Sequence, residues 1–275
     1  MRRCVRDLAR SASAIIGAAA LLGLALMPGA AAAGACEERI AAAPLQLASS
    51  MPELAQLLAQ GEVRLSFLGH ASFLIESPGG VSIVTDYNGF NRPPFTPDIV
   101  TMNIAHATHN TSQVAGIRFP LKGWDENGVP AHHDLEYKDV RVSNVPTNIR
   151  GFNGETRVNG NSIFIFNVAD LCIAHLGHLH HTLTPADLHA IGRIDVLLVP
   201  VDGAWTMSQD DMMEVIEQIK PKVIVPMHFF GTSTLARFLE RIALIHPVKT
   251  SEVPSIVLSR QRIPAEPEVV VLPGY

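Results

Sequence analysis

Lys220-Pro-Lys-Val-Ile-Val-Pro-Met-His228 carries an unbroken apolar run into a histidine. Val223, Ile224 and Val225 are adjacent and β-branched, the pattern of a strand covered on both faces. A histidine directly after such a strand stands at a sheet edge, where loops carry chemistry. Two other groups share this setting. His106 and His109 follow Ile99-Val-Thr-Met102, and His175, His178, His180 and His181 follow Leu171-Cys-Ile-Ala174. Seven of the twelve histidines therefore lie at three strand ends. Neutral imidazole is the commonest metal ligand and the usual proton carrier near neutral pH. If the fold brings the three ends to one edge, they build a metal site.

Working outward, short β-type runs begin at Val63-Arg-Leu-Ser-Phe-Leu68 and continue at Ser72–Ile75 and Val81–Thr85, the last two joined by the turn Pro78-Gly79-Gly80. Asp86 closes the third run. Before them, Leu54, Leu57 and Leu58 give Met51–Gln60 a helical spacing. Phe119–Asp139 has no clear period and reads as a long surface loop, of a kind often functional. Strands resume at Val140–Val145, Ser162–Val168 and Leu171–Ala174. Beyond them helix and strand alternate: a helix capped by Thr184, a strand at Val196–Val201, a helix capped by Ser208 and ending at Ile219, a strand at Lys222–Val225, and a helix over Thr232–Leu244. Two terminal runs, Ser255–Leu258 and Val269–Leu272, read as strands.

The first 35 residues read as a secretion signal. Arg2, Arg3, Arg6 and Arg10 form a basic region, Ala14–Met27 an apolar one, and Ala30–Ala35 a small-residue cleavage site. Residues 36–275 then form one domain, exported to the periplasm or secreted. Loss of four Arg and one Asp moves the formal charge from −5 to −8. An acidic surface argues against nucleic acid or an anionic membrane as a partner and leaves a small-molecule substrate. The oligomeric state is not legible. Cys36 and Cys172 can pair in an oxidising compartment; equally, Cys172 can be a small buried apolar residue.

Several stretches, in order, make the chain similar to the metallo-β-lactamase superfamily, in its UlaG-like branch of metal-dependent hydrolases. They are Leu68-Gly-His-Ala-Ser-Phe-Leu-Ile75, Asp86 at a strand end, Asp98-Ile-Val-Thr101, Ile173-Ala-His-Leu-Gly177, Val199-Pro-Val-Asp-Gly-Ala-Trp-Thr-Met207 and the Lys220–His228 segment. The resemblance implies an α/β fold, a four-layer αββα sandwich with metal at one edge between two sheets. It also exposes departures. The family's H-x-H-x-D-H loop aligns with Ile104-Ala-His106-Ala-Thr108-His109, so its first His and its Asp are missing. The next His would fall near Asn148 or Ile149, and the bridging Asp is His178.

The surviving set is His106, His109, His178 and His228, a four- or three-nitrogen site for one divalent ion, with zinc the best match. His70 and Asp86 suit orienting roles, because metal-bound imidazoles give their other N–H to an acceptor. Asp202 and His181 are the expected proton carriers beside a metal-activated water, though Asp202 can equally be a turn residue. His175 is as readily a buried, hydrogen-bonded ring as a functional one, and His180 belongs to the surroundings of the site. Trp205 lies by the site, Trp124 anchors its own loop, and His132, His133, His189 and His246 receive no role. The expected activity is metal-assisted hydrolysis of an ester, lactone, amide or phosphodiester. This ligand set argues against a true β-lactamase. The competing expectation is a non-catalytic descendant that binds metal or a ligand.

Overall fold

Where β-branched runs occur, the chain is extended. The computed structural model describes residues 58–125, 127–151 and 153–274. In chain order the elements are β1 (Glu62–Gly69), β2 (Ser72–Glu76), β3 (Ser82–Val84), β4 (Ile99–Met102), β5 (Phe119–Lys122), β6 (Asp134–Tyr137), β7 (Val140–Arg150), β8 (Thr156–Val168) and β9 (Leu171–His175). Then come α1 (Pro185–Ile191), β10 (Val196–Pro200), α2 (Gln209–Ile219), β11 (Val223–Met227), α3 (Thr232–Ile242), β12 (Val248–Thr250), β13 (Ser255–Ser259) and β14 (Glu268–Val271). The strands form two sheets, ordered β13-β1-β2-β3-β4-β5 and β12-β14-β11-β10-β9-β8-β7-β6.

Burial explains the sequence patterns. Val63, Leu65 and Phe67 of β1 meet Val196, Leu198, Val223 and Val225 of the second sheet in one core between the sheets. The alternate residues Leu197, Val199 and Ile224 pack on the other side against Ile191, Met212, Val215, Phe238 and Ile242 of the three helices. Strands β10 and β11 are thus buried on both faces, which is why their runs do not alternate. On the outer face of the first sheet, Leu74, Val84, Val100 and Met102 are covered by Tyr87 and by the loop residues Val114, Ile117 and Trp124. Helix α1 has only seven residues, too few to persist without caps and packing. Its Thr184–Asp187 capping box supplies both reciprocal bonds.

The segment Phe119–Asp139 departs from expectation, since it holds β5 and β6. Both are rim strands, alternating between half-buried and exposed. Polar alternation, together with Pro120, hides such edges from a reading based on apolar runs. Strand β12, also at a rim, was not expected, and β7 and β8 run beyond their expected bounds into a long hairpin. The expected signal peptide and Cys36 lie outside the described residues. So does most of the expected helix at Met51–Gln60, whose last three positions are not helical. Cys172 is buried and disulfide-bonded.

Strand direction places the chemistry. In the first sheet β1 and β3 are both antiparallel to β2, and β3 is parallel to β4. In the second, β9, β10 and β11 are mutually parallel. The C-terminal ends of each trio therefore share one edge of their sheet. A backbone bond from the His228 N–H to the His70 carbonyl (2.7 Å) ties the two edges together.

Candidate metal centre

Six of those strand ends each deliver a polar side chain: His70 after β1, Asp86 after β3, His109 after β4, His178 after β9, Asp202 after β10 and His228 after β11. Three of them hold a conformation that side-chain-bearing residues seldom adopt: φ is 54° at His70, 50° at Asp86 and 55° at His228. Left-handed backbone at such residues costs about 1–3 kcal/mol each and collects at functional sites. Gly177 (φ 61°) is also constrained. A Cβ there would lie 2.5 Å from the Asn103 and Asn161 side chains, so only glycine admits the close turn that aims His178. The Asn161 side-chain Oδ1 then accepts the His178 backbone N–H at 2.8 Å.

One ring nitrogen from each of His70, His109 and His228 lies within 4.8 Å of the other two. His109 Nδ1 is 2.5 Å from Asp86 Oδ2, and His228 Nδ1 is 3.0 Å from Asp202 Oδ1. An ionised carboxylate only accepts, so each Nδ1 carries the proton and each Nε2 keeps its lone pair. Those two Nε2 atoms face each other at 3.3 Å. Two lone pairs at that separation repel unless a proton or a metal ion lies between them. Nitrogens about 2.0–2.1 Å from a tetrahedral ion lie about 3.3–3.4 Å apart, so the spacing fits. His70 Nε2 is buried without a hydrogen-bond partner among the described residues, a cost of about 1–3 kcal/mol that a bound ion offsets. Burial, then the neighbouring His228 and His109, push the His70 pKa down to about 4, leaving its ring neutral at pH 7.

The structure groups the candidate ligands differently from the expected four. His109 and His228 belong to the trio, and His70, expected only to orient, joins them. His178 stands edge-on to both, with ring centroids 4.9 Å from His109 and 5.1 Å from His228. His106 stands apart: it is exposed, its Nδ1 bonds Thr108 Oγ1 at 2.8 Å, and its ring centroid is 5.8 Å from that of His109. His70 was read as orienting and not as a ligand because it is isolated in sequence. Its one signal is the turn it shares with Gly69.

The two expected proton carriers are otherwise engaged. Asp202 Oδ1 accepts from the Thr206 hydroxyl (2.6 Å) as well as from His228, and Oδ2 accepts from the N–H groups of Ala204 (2.9 Å), Trp205 (2.5 Å) and Thr206 (3.1 Å). Burial opposes its charge, but the His228 and Thr206 bonds outweigh burial and hold the carboxyl far below its ordinary value. A carboxylate so saturated is a poor base. It fixes His228 and the loop after β10 instead. His181 Nε2 accepts from the Asn148 N–H (3.2 Å), while Nδ1 donates to the Thr182 carbonyl (2.8 Å). His175 is structural, bonded to the Ala71 carbonyl (2.7 Å) and the Gly177 N–H (3.0 Å). A different pair is available. His178 Nδ1 and His180 Nε2 share a proton at 2.7 Å, and His180 Nδ1 is buried without a partner among the described residues.

His109, His178, His180 and His228 open onto a cavity of about 800 Å³, walled also by Arg150, Trp205 and Phe230. That volume lies within the roughly 300–1,000 Å³ of small-molecule sites. The His–carboxylate pairs, the His trio and the cavity together match the anatomy of a metal-dependent site with supporting acceptors.

Comparison with known proteins agrees. Residues 64–228 match the family model described as a beta-lactamase superfamily domain. A UPF0173 metal-dependent hydrolase of Pyrococcus horikoshii is 28% identical over 194 residues, covering 61% of this chain and 84% of that protein. A Thermotoga maritima structure, described as a Zn-dependent hydrolase of the metallo-beta-lactamase superfamily, aligns with TM-score 0.57 and 28% identity. It covers 78% of this chain and all of that one. The metallo hydrolase Igni18 of Ignicoccus hospitalis aligns with TM-score 0.54 at 16% identity, over 72% of this chain and 99% of that one, a likeness of fold alone.

Proposed function

The chain belongs to the beta-lactamase superfamily, and from that premise we propose that it is an exported hydrolase working with one divalent metal ion held by His70, His109 and His228. The observation that carries this reading is the pair of Nε2 lone pairs facing at 3.3 Å at the wall of an open cavity. A nitrogen-only donor set favours zinc. A metal so held would polarise the scissile group and lower the pKa of a bound water.

The residues divide the remaining work. Asp86 and Asp202 fix the tautomers of His109 and His228 and raise their basicity. His178 and His180, neutral at pH 7 because burial and neighbouring charges lower their pKa values to about 2 and about 4, hold a proton between Nδ1 and Nε2. A proton released by the attacking water would enter this pair and leave it to the departing group in the cavity, so that both rings end neutral. Trp205 and Phe230 give the substrate an apolar surface. Esters, lactones, amides and phosphodiesters all suit this chemistry, and the fold does not select among them.

The test joins metal analysis of the purified protein to a hydrolase panel. About one ion per chain and an esterase or phosphodiesterase activity, both lost in His228→Ala, support the proposal. Bound metal without turnover on any substrate favours the ligand-binding descendant. N-terminal sequencing of the mature protein checks export: a chain still beginning at Met1 would rule out the signal peptide.

A further inference from the structure

Resting on the hydrolase reading for the reaction but not for recognition, one property of the cavity narrows the substrate. The chain is acidic overall, yet among the described residues lining the cavity the only charged side chain is Arg150, and no carboxylate is present. Arg150 is the last residue of β7, on the long β7–β8 hairpin that rises beside the site. Its Nη2 donates to the carbonyls of Ala204 (3.0 Å) and Thr206 (3.4 Å), on either side of Trp205. No carboxylate among the described residues pairs with the guanidinium, although it carries five N–H donors. Glu155, whose carboxylate lies against Gly151, is turned into its own hairpin loop, where it accepts the Asn153 N–H at 3.0 Å. Burial first, then the Arg150 charge, lower the His180 pKa, so that positive charge acts inside the cavity.

Beside this cation stand two large apolar side chains facing solvent: Trp205 is 69% and Phe230 63% exposed. Phe230 packs against His228 (ring centroids 5.1 Å), next to the histidine trio. Exposed aromatics grouped at a cavity are a recognition surface. We infer that the cavity binds a soluble anionic amphiphile, with the negative group on Arg150 and an acyl or aryl group across Trp205 and Phe230. The scissile bond then lies between the two, over the histidines.

Binding tests this without turnover. In Trp124→Phe protein, where Trp205 is the sole fluorescent tryptophan, titration with monomeric octyl sulfate and with octyl glucoside, in EDTA, reports occupancy of the cavity. Octyl sulfate is expected to bind about tenfold more weakly after Arg150→Met, with Arg150→Lys recovering most of the loss and octyl glucoside little changed. Equal affinities for the two amphiphiles, or a parallel loss of both in Arg150→Met, would overturn the inference and leave Arg150 as a loop brace. Because metal is absent, charge selectivity can survive failure of the hydrolase reading. Hydrolysis without charge selectivity would sink only the inference.

Discussion

The histidine edge has two sides built on different plans. On one side His109 and His228 each lean on a buried carboxylate, Asp86 or Asp202. On the other, His178 and His180 lean on each other, and His106 on the Thr108 hydroxyl. A carboxylate partner fixes which nitrogen keeps its lone pair, and that is what a metal ligand needs. A histidine partner leaves the proton shared and mobile. On the proposed reading the first side would hold an ion still and the second would let a proton move. Left-handed backbone falls on the first side alone, at Asp86 and His228 and at the neighbouring His70, though not at His109 or Asp202; His106, His178 and His180 have none.

The strongest way to break the comparison is His228→Ala, which removes one of three nitrogens and should take the bound metal from about one ion per chain to none after desalting, read by elemental analysis. Next come Asp86→Asn and Asp202→Asn, which keep shape but lose the charge behind each ring. Metal affinity should fall about 10–100-fold in chelator competition, and unchanged affinity would erase the distinction between the sides. Asp202→Asn should also lower the melting temperature more than Asp86→Asn, since Asp202 holds three backbone N–H groups of its loop.

A smaller effect is expected from acid on the metal-free protein. His70 and His180 titrate at about 4 and His178 at about 2 in the folded state, against 6.5 as the ordinary value. Burial is the largest cause in each case. Below pH 6.5 the unfolded chain therefore binds protons that the folded one refuses. Melting temperature should be flat above that pH and fall steadily as pH drops from about 6.5 towards 4. A melt that rises on acidification would contradict the burial of these rings. The smallest effect is that of His106→Ala. Exposed and outside the trio, it should change metal affinity by no more than about twofold, and a large loss would restore it to the ligand set.

Much of this arrangement was legible in the chain. The β-branched runs ending at Met102, Ala174 and Met227 pointed to strand ends bearing His109, His178 and His228, and a single edge requires only that the strands be parallel. Other features were hidden for identifiable reasons. Strands β5 and β6 are half-exposed rims with too little apolar content to register. Nothing in the sequence marks Arg150, which the β7–β8 hairpin carries beside the cavity. Asp202 could be read as a base or as a turn residue, because a sequence does not display the five hydrogen bonds that its carboxylate accepts.

By itself the sequence determined the buried strands and the three helices α1–α3, that those strands pack as layers, and that histidines terminate several of them. Those follow from local periodicity, which each residue carries wherever it lies. Only the tertiary structure decided which imidazoles stand close enough to share an ion, because such proximity is a matter of ångströms between residues far apart along the chain. The bond that joins the ends of β1 and β11 brings His70 to His228, whereas His106 stays exposed.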